Sequence, residues 1–105
     1  MPTFIDRHPA SALSSATRKQ LYVEARQRTL DPHGARPVGH WIEDGTMYCI
    51  LVAVSGEAIC QHHADRGLAC DELHELGELG GRAPADDEDD QARVRAAIRQ
   101  LWHSR

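Results

Sequence analysis

The chain has 105 residues, with 12 basic and 16 acidic side chains and a formal net charge of -4 at pH 7. This length supports one domain with one core, and the hydrophobic fraction of 41% and charged fraction of 27% are typical of a soluble globular protein. The acidic balance offers no basic surface for a phosphate backbone, so we expect no nucleic-acid partner.

The sequence also argues against membrane insertion and secretion. No apolar run approaches the length of a membrane span, and the charges of Asp6 and Arg7 precede any stretch that could serve as a signal peptide. The cysteines form an odd set without C-x-x-C spacing, Cys49, Cys60 and Cys70. Such a set favours reduced thiols in a reducing compartment. We therefore expect a cytoplasmic protein without a membrane partner.

The first part of the chain predicts a strand followed by a helix. Residues 3–8 combine aromatic and β-branched side chains and stop at Pro9, which cannot donate to a sheet. Residues 16–30 place apolar side chains at helical spacing and predict a helix. Pro32 and Gly34 follow it and end the helix.

The middle of the chain predicts a hairpin and a second helix. The Asp-Gly pair at 44 and 45 is a favoured two-residue turn, so residues 36–43 and 46–53 should pair as antiparallel strands. Ser55 can cap the second helix, and Gly67 provides its end.

Residues 71–76, around Leu73, predict a short fourth strand, which completes the order βαββαβ. This order is that of the ferredoxin-like α+β fold, with a four-stranded antiparallel sheet in the order 4-1-3-2 and two helices on one face. We divide the chain into a ferredoxin-like domain of residues 1–77, an acidic Gly/Pro linker of residues 78–90 and an amphipathic C-terminal helix of residues 91–105.

Seven histidines accompany a single phenylalanine. The hairpin register places His40 opposite Cys49, and His8 ends the first strand at the same edge of the sheet. The second helix returns toward this edge with His62 and His63. Imidazole and thiolate bind divalent transition metals such as Ni(II), Zn(II) and Cu(II). We therefore predict a metal site formed by His8, His40, Cys49 and His63, with His62 as an alternative to His63.

Each of these residues also has an ordinary structural explanation. A histidine near a helix end is often a surface residue or a partner of the helix dipole. Cys49, in an apolar strand, can be a small buried hydrophobe. The sequence has no phosphate-binding glycine loop, G-x-S-x-G or H-E-x-x-H motif, so it assigns no reaction.

Three segments of the sequence, "TFIDRH", "WIEDGTMYC" and "AICQHHADRGLACDELHEL", carry a resemblance. Together they resemble a widespread bacterial family of small domains of unknown function, over about residues 2–77. Its members are similar to an actinobacterial nickel-binding protein with a dimeric ferredoxin-like fold. The resemblance implies this fold and the binding of a divalent transition metal such as nickel, without any reaction. The positions that carry it are Asp6, His8, Trp41, residues 45–49, His63, Gly67 and Asp71.

Two further functions stay open beside metal binding. One is an enzyme or small-ligand binder of the dimeric α+β barrel kind, with a cavity between two sheets. The other is an interaction module that docks its C-terminal helix on a partner. The strand "MYCILVAV" is apolar on both faces, so a second copy or the helix stripe must cover the sheet. We expect a homodimer, with the tail helix packed on its own domain or on the partner through Val94, Ile98, Leu101 and Trp102.

Overall fold

A computed structural model describes residues 2–70, 72–75, 92–96 and 99–100. The strands and helices in chain order are β1 (Thr3–Pro9), α1 (Ser15–Gln27), β2 (Ala35–Glu43), β3 (Thr46–Ala53), α2 (Gly56–Ala64) and β4 (Leu73–Glu75). Residues 92–96 are also helical. The predicted linker 78–90 lies outside the described residues, as do Ile98, Leu101 and Trp102 of the predicted tail stripe.

The strands form one antiparallel sheet in the order β2-β3-β1-β4. This is the predicted order 4-1-3-2, so the α+β ferredoxin-like prediction is confirmed. Pro37 lies in β2 beside a register shift between Pro37 and Gly39. Because β2 is an edge strand, a residue that lacks an N–H donor is tolerated there.

The β2–β3 hairpin has the predicted turn and register. Asp44 and Gly45 both have positive φ angles, 52° and 75°, which suits the Asp-Gly pair. His40 pairs with Cys49 as predicted. Cys49 also pairs with Asp6 of β1, so these three residues form one row across the sheet.

Serine hydroxyls cap both helices. Ser14 Oγ accepts from the N–H of Thr17 at 3.1 Å, and Ser55 Oγ accepts from the N–H of Ala58 at 3.3 Å. The first helix ends at Gln27, earlier than predicted, because Arg28 adopts the left-handed conformation with φ 51°. None of the helices in the described ranges has the length and apolar content of a membrane span.

The sheet buries apolar side chains on both faces. On the helical face, Met47 and Leu51 of β3 pack in one cluster with Leu21 of α1 and Ile59 of α2. On the opposite face, a second cluster contains Ile5, Val38, Tyr48, Ile50, Val52 and Val94. Strand β3 is therefore covered on both sides, as its apolar sequence predicts.

Val94 identifies what covers the second face. Its side chain is fully buried in the cluster formed by β1, β2 and β3. The guanidinium of Arg95 lies 5.3 Å from the centre of the Trp41 ring, and Arg99 forms an exposed ion pair with Glu43 at 3.0 Å. The sequence predicts that either a second copy or the C-terminal helix covers this face. The chain's own C-terminal segment does pack on it.

The prediction of reduced thiols is wrong for two of the three cysteines. Cys60 and Cys70 form a disulfide, with their Cα atoms 5.3 Å apart, whereas Cys49 is free and buried. The turn after α2 passes through Gly67, whose positive φ of 71° reverses the chain and returns Cys70 alongside the helix. The sequence did not indicate this pairing, because the two cysteines lack C-x-x-C spacing. The turn at Gly67 brings them together instead.

Candidate functional site

Asp6, His8 and His63 form a compact buried cluster between the sheet and α2. Asp6 and His8 are two positions apart on β1, so their side chains share the helical face. His63 lies in the last turn of α2, and its side chain reaches Asp6 and His8 from the helix. One ligand atom from each of the three residues lies within 4.8 Å of the others.

Asp6 is the centre of this cluster. Its Oδ2 atom is hydrogen-bonded to His63 Nε2 and lies 3.3 Å from His8 Nε2. The His8 and His63 rings meet edge to face, with centroids 4.9 Å apart. Burial raises the pKa of the Asp6 carboxyl, but the interactions with His63 and His8 outweigh burial and hold the pKa below its usual value. Asp6 is therefore a carboxylate at neutral pH, and His63 Nε2 donates to it.

The cluster leaves buried polar atoms unsatisfied. Asp6 Oδ1, His8 Nε2 and His63 Nδ1 are buried without a hydrogen-bond partner in the part of the chain that the structure describes. Buried polar atoms of this kind are uncommon because each loses its water without compensation. A carboxylate beside two imidazoles, each with an unsatisfied atom, is a donor set that fits a divalent metal ion.

Cys49 lies next to the cluster without belonging to it. Strand pairing places it beside Asp6, and its thiol interacts with that carboxylate. Burial, reinforced by the negative charge of Asp6, raises the pKa of Cys49 well above its usual value. The residue is therefore a neutral thiol in this arrangement, and it would become a ligand only by losing its proton to a bound metal.

His40 is on the predicted face but points toward α1. Its ring meets that of Tyr22 edge to face, at a centroid distance of 5.7 Å. Burial lowers the pKa of His40. The structure thus brings together His8 and His63 from the predicted set, places Cys49 beside them, and leaves His40 outside the cluster.

His62 connects two parts of the fold. Its Nδ1 atom lies 2.7 Å from Asp31 Oδ2, in the loop that joins α1 to β2. The other oxygen of Asp31 accepts from the backbone N–H groups of His33 and Ala35, at 3.0 Å and 2.8 Å. His62 therefore anchors α2 to this loop.

A small cavity adjoins the cluster on the α1 side. Its volume is about 10 Å³, and its lining includes His40, Cys49, His62 and His63. A cavity needs about 10–15 Å³ to hold one water molecule, so this one has room for about one water and for nothing larger.

Asp6 is the cluster residue that the predicted ligand set lacked. It was singled out only through the resemblance, although the alternation in "DRH" already places Asp6 and His8 on one face of a strand. Two other positions of the resemblance, Trp41 and Gly67, have structural roles: a stacked contact with Tyr48 and a positive-φ turn. Asp71 lies outside the described residues.

The fold and the cluster define a small α+β protein with a buried Asp/His/His group. The crystal structure of SCO4226 from Streptomyces coelicolor A3(2) is similar, with a TM-score of 0.56 and 25% sequence identity over 70% of this chain and 94% of that chain. The sequence matches no protein-family model and no curated protein. The similarity supports the ferredoxin-like fold and a relation to a small bacterial family, and it carries no information about nickel.

Proposed function

We propose that the protein binds a divalent transition metal ion through Asp6, His8 and His63, with Cys49 as a neighbouring soft ligand. The observation that carries the proposal is the cluster of three buried ligand atoms within 4.8 Å of one another. Imidazole binds a metal ion in its neutral form, so two imidazoles and one carboxylate would bring a single negative charge to a divalent cation in a site removed from water.

The chemistry of the donor atoms limits which ions the cluster can bind. Imidazole and carboxylate suit Ni(II) and Zn(II), and a thiolate would favour a softer ion. Nickel is the ion among these that the sequence resemblance implies. His63 Nε2 donates to Asp6, so a bound ion would compete with a proton held between these two groups. The proposal is therefore metal binding or metal handling, without a reaction.

Calorimetric titration of the untagged chain with Ni(II) and Zn(II) tests this proposal. We expect uptake of one ion per chain near neutral pH, weakening below about pH 6 because imidazole must be neutral to bind a metal. Elemental analysis of the protein as purified would identify the ion it carries.

Asp6→Asn and His63→Gln should abolish this uptake. His33→Gln is the matched control, because His33 contacts an exposed Asp65 instead of the cluster. Loss of metal in the two cluster variants, with normal uptake in the control, would support the site. Uptake that all three variants retain would refute it, and so would the absence of any uptake by the natural sequence.

Assembly and location stay predictions. The homodimer was expected because one face of the sheet needed a cover, and Val94 of the same chain now occupies part of that face. Sedimentation of the full chain would decide the oligomeric state. The cytoplasmic location was expected partly from reduced thiols, and the Cys60–Cys70 disulfide removes that argument.

A further inference from the structure

A cleft of about 270 Å³ lies between α1, β2 and residues 92–96, outside the metal cluster. Tyr22, Arg26 and Arg28 line it from α1 and its C-terminal end, Val38 and His40 from β2, and Arg95 from the C-terminal segment. The volume is near the lower end of small-molecule sites, which span about 300–1,000 Å³. A ligand the size of one ring with one charged group would fill it.

The described lining of the cleft is rich in arginine, although the chain has a net charge of -4. Three guanidinium groups line it, and no acidic residue does so in the described part of the chain. Concentrating one sign of charge in a concave site attracts ligands of the opposite sign.

Two of these guanidinium groups contact aromatic rings. Arg26 lies 5.7 Å from the centre of the Tyr22 ring and donates to the Tyr22 hydroxyl at 3.3 Å. Arg95 lies 5.3 Å from the centre of the Trp41 ring. A guanidinium that stacks on a ring keeps its N–H edge available for carboxylate or phosphate oxygens.

The rest of the cleft suits a flat apolar group. The rings of Tyr22 and His40 meet edge to face at 5.7 Å, and Val38 is buried beside them. Burial lowers the pKa of His40, so at neutral pH its imidazole is uncharged and adds a polar aromatic wall. Half of the Tyr22 surface is exposed, which places this ring at the mouth of the cleft.

We propose that this cleft binds a small organic anion in which a carboxylate or phosphate group is attached to a flat ring. Arg26 and Arg95 bind the anionic group, and Tyr22 and His40 contact the ring. The site is independent of the metal cluster: the two share no residue.

Calorimetry or NMR titration of the full chain with phenyl phosphate and benzoate tests the proposal. We expect at least one of them to bind at submillimolar concentration, whereas benzylamine, of similar shape but positive, should not bind. Inorganic phosphate should bind more weakly than phenyl phosphate, because it lacks the ring. Equal affinity for the two phosphates, or no binding of either aromatic anion at millimolar concentration, would overturn the assignment.

Variants locate the site. Arg26→Gln and Arg95→Gln should each weaken binding of the aromatic anion by about tenfold, the loss of one charge-assisted hydrogen bond. Arg18→Gln, an exposed position on the same helix, is the matched control and should bind as the natural sequence does. Unchanged binding in both cleft variants would refute the site. Asp6→Asn should keep anion binding, and its loss there would show that the anion binds through the metal cluster instead.

Discussion

His62 and His63 are adjacent but serve different parts of the molecule. One step along a helix rotates the side-chain direction by about 100°, so neighbouring residues face different surroundings. His63 faces β1 and bonds Asp6, whereas His62 faces the loop before β2 and bonds Asp31. The pair is therefore explained by two carboxylates, that of Asp6 in β1 and that of Asp31 in the loop before β2, and only His63 belongs to the candidate metal site.

The buried His62 should make stability depend on pH. Burial lowers the pKa of His62, and the partly opposing attraction of Asp31 does not restore it. The unfolded chain therefore takes up a proton first as the pH falls. The contribution of His62 is fully present above the ordinary histidine pKa of about 6.5 and is lost as the pH falls toward the lowered native value. Burial of His40 acts in the same direction.

We expect His62→Phe to lower the free energy of unfolding near neutral pH by about 1–3 kcal/mol, because it leaves the Asp31 carboxylate without this partner. The variant should also lose less stability than the natural sequence between about pH 7 and about pH 5.5. Urea unfolding at both pH values measures this. His33→Phe, at a partly exposed ring beside Asp65, is the control. A variant with the pH slope of the natural sequence would contradict the assignment.

The sequence predicts the right residue types for the site but not all of their partners. The hairpin register correctly placed His40 opposite Cys49, because the turn fixes which residues pair. Whether a half-buried ring points along the sheet or toward a helix depends on tertiary packing, which the register does not contain. Asp6 was missed as a ligand because a single acidic residue in a strand gives no sign of burial.

At the scale of elements, α2 is tied to the fold on several sides. Arg66 follows the C-terminal end of α2. Its guanidinium forms a bidentate ion pair with Glu24 of α1 and also donates to the carbonyl of His62 at 2.7 Å. The Cys60–Cys70 disulfide joins the helix to the segment before β4. These links fix the position of His63, so the geometry of the candidate site depends on them.

The disulfide should contribute measurably to stability. Closing a loop between cysteines separated by 10 residues restricts the unfolded chain, which corresponds to about 2.7 kcal/mol in the loop-entropy description. We expect Cys70→Ser to lower the free energy of unfolding by about this amount under oxidising conditions, and to unfold like the natural sequence in the presence of a reductant. Thiol titration of the chain unfolded without a reductant should detect Cys49 alone. Detection of three thiols would show that the pair is reduced.

The elements themselves were largely predictable. Asp-Gly turns, serine caps and alternating apolar residues are local signals, and they gave the two hairpin strands and both helices. The end of α1 was misplaced by three residues because Arg28 takes a left-handed conformation that nothing in its side chain requires. The disulfide escaped prediction because it depends on the return of the chain after Gly67.

At the scale of the whole molecule, the central question is how a four-stranded sheet protects its second face. The sequence predicted that this face is apolar, since both alternate sets of β3 are hydrophobic. It could not choose between a second copy and the C-terminal helix, because either one supplies an apolar surface. Val94 packs among Ile5, Tyr48 and Ile50, so the chain's own C-terminal segment covers part of this face.

Val94→Asp should therefore detach this segment from the sheet. Burial of one valine side chain contributes about 1.5–3 kcal/mol, and a carboxylate cannot replace it among apolar neighbours. We expect the free energy of unfolding to fall by about this amount in urea titrations. The uncovered face of Tyr48, Ile50 and Val52 should then promote self-association, seen as a larger sedimentation coefficient at high protein concentration. Ala96→Asp, at an exposed position of the same helical segment, is the matched control and should change neither property. If both variants unfold at the same urea concentration as the natural sequence and stay in its oligomeric state, the C-terminal segment does not stabilise the sheet in solution.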